Sequence, residues 1–175
     1  DLTEFSATTT SGAPVAFRDG RNGATRNVSA QSADAGALLR FLDIYERMEG
    51  GRIALNLTGQ DEATLRGHID ARDFWLVNEP RLSSIVSSPS TRDGRSLNQA
   101  VRGSLDTSRV QFERGYADIV KGPGSVSLDR GILRGPLIGV SFQGLLYDGN
   151  GNMAMTGTFM PAYGLNRIFG EIPLI

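Results

Sequence analysis

The chain has 175 residues, enough for one domain that buries roughly 70% of the surface of its unfolded form. A formal net charge of −1 gives no general attraction to nucleic acid, and the absence of cysteine excludes disulfides, zinc–thiolate sites and thiol catalysis. No run of 18 apolar residues is present to cross a membrane as a helix, while 22 glycines, many Ser and Thr, and repeated apolar–polar alternation predict short antiparallel strands joined by tight turns.

Taken in order, Leu2 to Thr10 and Ala13 to Arg18 read as two strands across a Ser11-Gly12 turn. Asp19 to Gly23 is a turn cluster, and Thr25 to Gln31 is a third strand with Val28 and Ala30 on one face. Ser32 to Met48 reads as a helix capped by Asp34, with Leu38, Phe41, Leu42, Tyr45 and Met48 as its apolar stripe and Gly50-Gly51 as its end. Such a stripe ordinarily packs on a sheet; part of it could instead border an apolar groove. Arg52 to Thr58 places Ile53, Leu55 and Leu57 on one face. Ala63 to Phe74 follows as its hairpin partner, with Leu65, Gly67, Ile69 and Ala71 opposed to Arg66, His68, Asp70 and Arg72.

Asn78 then caps a second helix with Pro80 in its first turn and Leu82, Ile85 and Val86 on its apolar side. Ser87 to Gly94 is a polar break, and Leu97 to Val101 forms a further helical turn. From Arg109 to about Val120 the chain is strand, with Val110, Phe112 and Tyr116 on one face and a bulge near Gly115. Ser125 to Leu128 and Ile132 to Arg134 are short strands around an Asp129-Arg130-Gly131 turn. Ile138 to Asp148 sets Val140, Phe142, Gly144 and Leu146 on one face, and Asp148 to Gly151 turns into the last strand. There Met153, Met155, Gly157 and Phe159 share a face until Pro161, which has no N–H for the ladder. Leu165, Ile168 and Phe169 make one more apolar helical turn, stopped by Pro173. The fold class this predicts is mainly β (α+β). It is a long curved antiparallel sheet with two or three short amphipathic helices packed on its concave apolar face.

No reacting constellation emerges. His68, the single histidine, lies on the polar side of a strand with no fixed partner. Asp148 to Asn152 imitates the start of a calcium loop, but Met153 stands at the sixth position and Phe159 at the twelfth, where glycine and a bidentate glutamate belong. Gly122-Pro-Gly124 and Gly149-Asn-Gly151 match no phosphate-binding fingerprint. Asp70, Asp73 and Glu79 are expected as ordinary surface carboxylates, and no basic stripe with interleaved aromatics suggests nucleic acid. The expectation is a non-enzymatic protein without cofactor or metal.

The closing run TGTFMPAYGLNRIFGEIPLI resembles the signature that ends the AsmA-like C-terminal region of Gram-negative envelope proteins, the AsmA/TamB/YhdP group. The matching residues are Gly157, Thr158, Pro161, Ala162, Tyr163, Leu165, Asn166, Ile172, Pro173 and Leu174. The hairpin-and-helix pattern upstream extends the likeness over most of the chain, with a longer polar break at Ser87 to Arg95. The resemblance implies that residues 1–175 are one AsmA-like C-terminal domain, a fragment of a larger periplasmic protein anchored in the inner membrane. It further implies an elongated β-structure with an apolar interior that moves phospholipid between the two membranes. Its partners would be phospholipid acyl chains, with other envelope proteins as further candidates, and no nucleic acid.

On that footing Ile53, Leu55, Leu57, Val140, Phe142, Leu146, Met153 and Met155 are the hypothetical lining of a lipid groove. Each methylene removed from water gains about 0.8 kcal/mol, so an acyl chain slides only where the surface stays apolar throughout. Methionine suits such a surface because it adapts to varied chains. The same residues would equally serve as plain core beneath the helices. A competing role is a scaffold for outer-membrane proteins acting through exposed strand edges. A carbohydrate-binding sandwich has only Trp75 and four tyrosines for stacking on sugars.

Overall fold

The computed structural model describes residues 2–41, 45–60, 64–87 and 106–161, with the backbone alone at 85–87 and 159–161. Among these residues nine strands form one antiparallel sheet: β1 (Leu2–Thr8), β2 (Pro14–Asn22), β3 (Thr25–Ser32), β4 (Met48–Gly59), β5 (Leu65–Val77), β6 (Arg109–Gly122), β7 (Ser125–Arg134), β8 (Ile138–Tyr147) and β9 (Ala154–Pro161). Each strand pairs with its neighbour in sequence, a pure meander. Helix α1 (Ala35–Phe41) joins β3 to β4, and α2 (Pro80–Ser87) lies between β5 and β6. Both helices therefore stand at the same end of the sheet, opposite the β4–β5 hairpin.

The first helix is shorter than its apolar spacing predicts. Asp34 caps it as expected: the Ala37 amide donates to Asp34 Oδ1 at 2.9 Å. It ends at Phe41, whose side chain is 80% exposed, and Met48 already belongs to β4. Gly50-Gly51 is not a helix terminus. It lies inside β4, at φ of 62° and 79°.

Those two glycines mark a break in side-chain alternation. Toward the hairpin, Ile53 and Leu57 of β4 and Leu65 and Ala71 of β5 are buried. Toward the helices the buried residues are Met48, Phe74 and Leu76, so the odd-numbered phase gives way to the even. In β6 the step from Phe112 to the buried Gly115 repeats the slip. The pairing runs unshifted through this row, but Gly51, Asp73 and Glu113 are missing from the paired positions. Asp73 takes a left-handed φ of 57°, which costs a residue with a Cβ more than it costs glycine. The result is a shift of side-chain phase across three strands that keeps apolar residues on one face on both of its sides. Tyr116, expected beside Val110 and Phe112, falls on the other phase and stacks on His68 with ring centroids 6.0 Å apart.

The second helix begins as Pro80 requires, yet its cap is Glu79 and not Asn78. The Arg81 amide donates to Glu79 Oε1 at 3.1 Å, while Asn78, at φ 49°, uses its amide on Ser108 O. The strand β7 is continuous. The expected turn at Asp129-Arg130-Gly131 is a bulge with Arg130 at φ 46°, so the two short strands are one. Likewise β2 runs through Asp19 to Asn22 before turning. The helical turns expected at Leu97–Val101 and Leu165–Phe169 lie outside the described residues.

One buried cluster sits at the helix end. Leu38 and Leu39 of α1 and Leu82 of α2 pack there with Ile53, Ala71, Phe74, Leu76, Val110, Phe112, Ile138 and Val140. Phe74 and Phe112, both fully buried, stack at 5.6 Å between centroids. A smaller cluster of Val28, Leu57 and Leu65, flanked by Phe17, Leu55 and Ile119, lies toward the hairpin end on the same face.

Candidate functional site

The apolar face bounds a cavity of about 830 Å³. That is near the top of the range for pockets that hold small ligands. Residues of eight strands reach it, from Phe17 in β2 to Met155 in β9, together with Leu38 and Leu39 of α1 and Leu82 of α2. The period-two pattern puts them there: in a one-faced sheet every second side chain points to the same side.

All eight residues named as groove lining border this cavity. They do so in different ways. Ile53, Leu57 and Val140 are at most 5% exposed and form its floor as part of the packed clusters. Leu55, Phe142, Leu146 and Met155 are half-buried, and Met153 is 36% exposed at the lip. Gly157 of the closing motif pairs with Phe142 and also borders the space. Thr158 is exposed on β9, Pro161 is the last residue of that strand, and Ala162, Tyr163, Leu165, Asn166, Ile172, Pro173 and Leu174 lie outside the described residues.

The charged groups that border the cavity among the described residues stand at its two ends, with Tyr116 and Thr156 as polar neighbours between them. At the helix end Glu79, 5% exposed, is the one buried carboxylate among the described residues. Its expected role as a surface acid does not hold. Tyr45 Oη donates to Glu79 Oε2 at 2.5 Å, and the Arg81 guanidinium donates to Oε1 at 3.3 Å. Burial, and then the neighbouring carboxylate, push the Tyr45 hydroxyl well above its usual pKa. Sequence alone gave no sign of this trio, because Tyr45 and Glu79 are 34 positions apart. At the hairpin end the terminal inward row runs Arg26, Gly59, Leu65, Lys121, Val126, Tyr147 from β3 to β8. Arg26 is bound there by Asp19, its Nη2 donating at 2.5 Å, and this guanidinium holds the Asp19 carboxyl below the usual range.

The opposite face is a lattice of ion pairs. Arg72 and Arg114 both donate to Asp70, each at 3.1 Å, and Arg130 donates to Asp118, which also accepts from Tyr116 Oη at 3.0 Å. Asp73 is bound by Arg52 at 2.8 Å. Half-buried His68 sits among these groups, stacked on Tyr116. Trp75 is covered by the Arg109 guanidinium, 4.6 Å from its ring centroid. Asp148 closes the last hairpin by accepting from the amides of Asn150 and Asn152, both at 2.8 Å, as an Asx turn does. Among the described residues no three His, Asp or Glu side chains gather as a metal site. No helix among them is long and apolar enough to cross a membrane. Comparison with protein-family models, with curated proteins and with solved structures returns no match for this chain.

Proposed function

We propose that this chain is a non-enzymatic, lipid-carrying β-trough: a periplasmic segment of an AsmA-like protein along which phospholipid acyl chains pass between inner and outer membranes. The observation that supports this is the cavity itself, about 830 Å³ of space bordered by apolar residues from eight strands. In this reading the sheet bends where Gly51 and Asp73 shift the side-chain phase, and the helices roof one end of the concave side. The cavity's extent suits the cargo. Leu65 and Leu76 both border it, and they stand roughly 36 Å apart along β5 at about 3.3 Å per residue. A bilayer core about 30 Å thick holds two acyl chains end to end, so one chain needs only about 15 Å.

Native mass spectrometry of the purified chain tests the proposal, with Phe142→Asp as the comparison. Phospholipid is expected to co-purify with the wild-type protein and to be lost from the folded variant, which places a carboxylate in the apolar wall. A wild-type protein that takes up no phospholipid from vesicles would sink the idea.

One observation favours a second reading, an assembly scaffold acting through strand edges. The outer edge of β1 has no partner strand among the described residues, and Leu2 and Phe5 on it are 66% and 53% exposed. Capture of an unfolded outer-membrane strand that is lost on Ser6→Pro, by a protein that binds no lipid, would favour it.

A further inference from the structure

Among the described residues, four of the side chains that border the cavity carry a formal charge: Arg26, Glu79, Arg81 and Lys121. Three of them are paired. Arg26 is bound by Asp19, and Glu79 by Arg81. The Lys121 ammonium makes no ion pair or hydrogen bond with any described residue. It is also the one lysine in a chain with 17 arginines. It stands in the last inward row, between Leu65 and Val126, with Tyr147 one strand further on. The cavity thus has electrical polarity. Its helix end holds a buried carboxylate already satisfied by a tyrosine and an arginine, and its hairpin end holds a cation with no counter-ion among the described residues.

Resting on the trough reading above, we infer that Lys121 is a head-group site, and that a phospholipid lies in the cavity with its phosphate on the Lys121 ammonium and its acyl chain directed toward α1 and α2. An ammonium on a flexible stem binds phosphate as a point charge, tolerant of what else the head group carries. The rest of the lining fits the chain: beyond Lys121 the inward positions of β6 are Ile119, Ala117 and Gly115. The reverse orientation would bring a phosphate beside the Glu79 carboxylate, where the one guanidinium, Arg81, is already engaged by that carboxylate.

The test compares two ligands of equal chain length, one with a phosphate and one without. A lysophosphatidylglycerol and the matching monoacylglycerol, each below its micelle concentration, displace the neutral dye N-phenyl-1-naphthylamine from the purified chain. The wild-type protein is expected to bind the phosphate-bearing ligand about tenfold more tightly. Lys121→Ala removes that preference without weakening the monoacylglycerol, and Lys121→Arg retains it. Because Lys121 is exposed, these variants leave the packed clusters untouched. If both ligands bind and the preference survives in Lys121→Ala, the head-group site is overturned while the trough stands. If neither ligand displaces the dye, the trough itself fails. Displacement by inorganic phosphate alone would also overturn the inference, since binding would then not need the chain.

Discussion

Replacing Glu79 by Ala tests whether the helix end of the sheet is held by one buried carboxylate. In the folded chain Glu79 is 5% exposed and performs two tasks. Its Oε1 caps α2 through the Arg81 amide at 3.1 Å, and its Oε2 accepts the Tyr45 hydroxyl at 2.5 Å. Loss of the cap costs about 1 kcal/mol. A Tyr45 hydroxyl left buried without a partner costs a further ~1–3 kcal/mol. The Arg81 guanidinium is half exposed, so losing its carboxylate adds little. Relief from burying a charge offsets part of the sum. The expected loss is about 2–3 kcal/mol, which lowers Tm by roughly 4–12 °C in a chain of this size. Urea denaturation of Glu79→Ala, Tyr45→Phe and the double variant gives the coupling directly, expected at about 1–2 kcal/mol. A coupling below about 0.5 kcal/mol, or a Glu79→Ala protein as stable as wild type, would refute the reasoning.

Gly51→Ala is expected to cost about 2–4 kcal/mol in urea denaturation, because a Cβ at φ 79° would also lie 2.6 Å from Phe74 Cβ. Gly12→Ala, at φ 83° with open space around it, should cost only about 1 kcal/mol, and equal losses at the two sites would contradict the packing argument. Stability should also fall at both extremes of pH. Arg26 lowers the Asp19 carboxyl, and the Ser11 hydroxyl with the Ala37 amide lowers that of Asp34. Their contributions are therefore present above the unfolded value of about 4 and are lost as pH drops through the lower folded values. Tyr45 is raised, so the unfolded chain loses its proton first. Stability declines as pH climbs above about 10, and Tyr45→Phe should flatten that alkaline limb in a pH series of thermal melts.

How far the fold could be read from sequence depended on whether the deciding interaction was local. The meander was legible because turn residues such as Ser11-Gly12 and Asp148 to Gly151 alternate with period-two runs, and nothing distant is needed to pair adjacent strands. The eight lining positions came together for the same reason: one-sided alternation fixes a face even where strands are far apart in sequence. The apolar spacing overstates the extent of α1 because Tyr45 and Met48 continue it, while burial of Met48 in β4 decides the matter. A glycine pair reads as a helix stop, yet here it supplies the left-handed backbone that shifts the phase of a strand. Asn78 is the better capping residue by propensity. Glu79 takes that place because its other oxygen is claimed by Tyr45, 34 positions upstream, which no local pattern could reveal.

Because every strand takes its hydrogen bonds from the segments immediately before and after it, the sheet behaves as a zipper rather than a weave. Among the described residues no strand pairs with any but its neighbours in strand order. Hairpins could be gained or lost at either margin without rethreading the remainder, and closure can start as soon as the first two segments have left the ribosome.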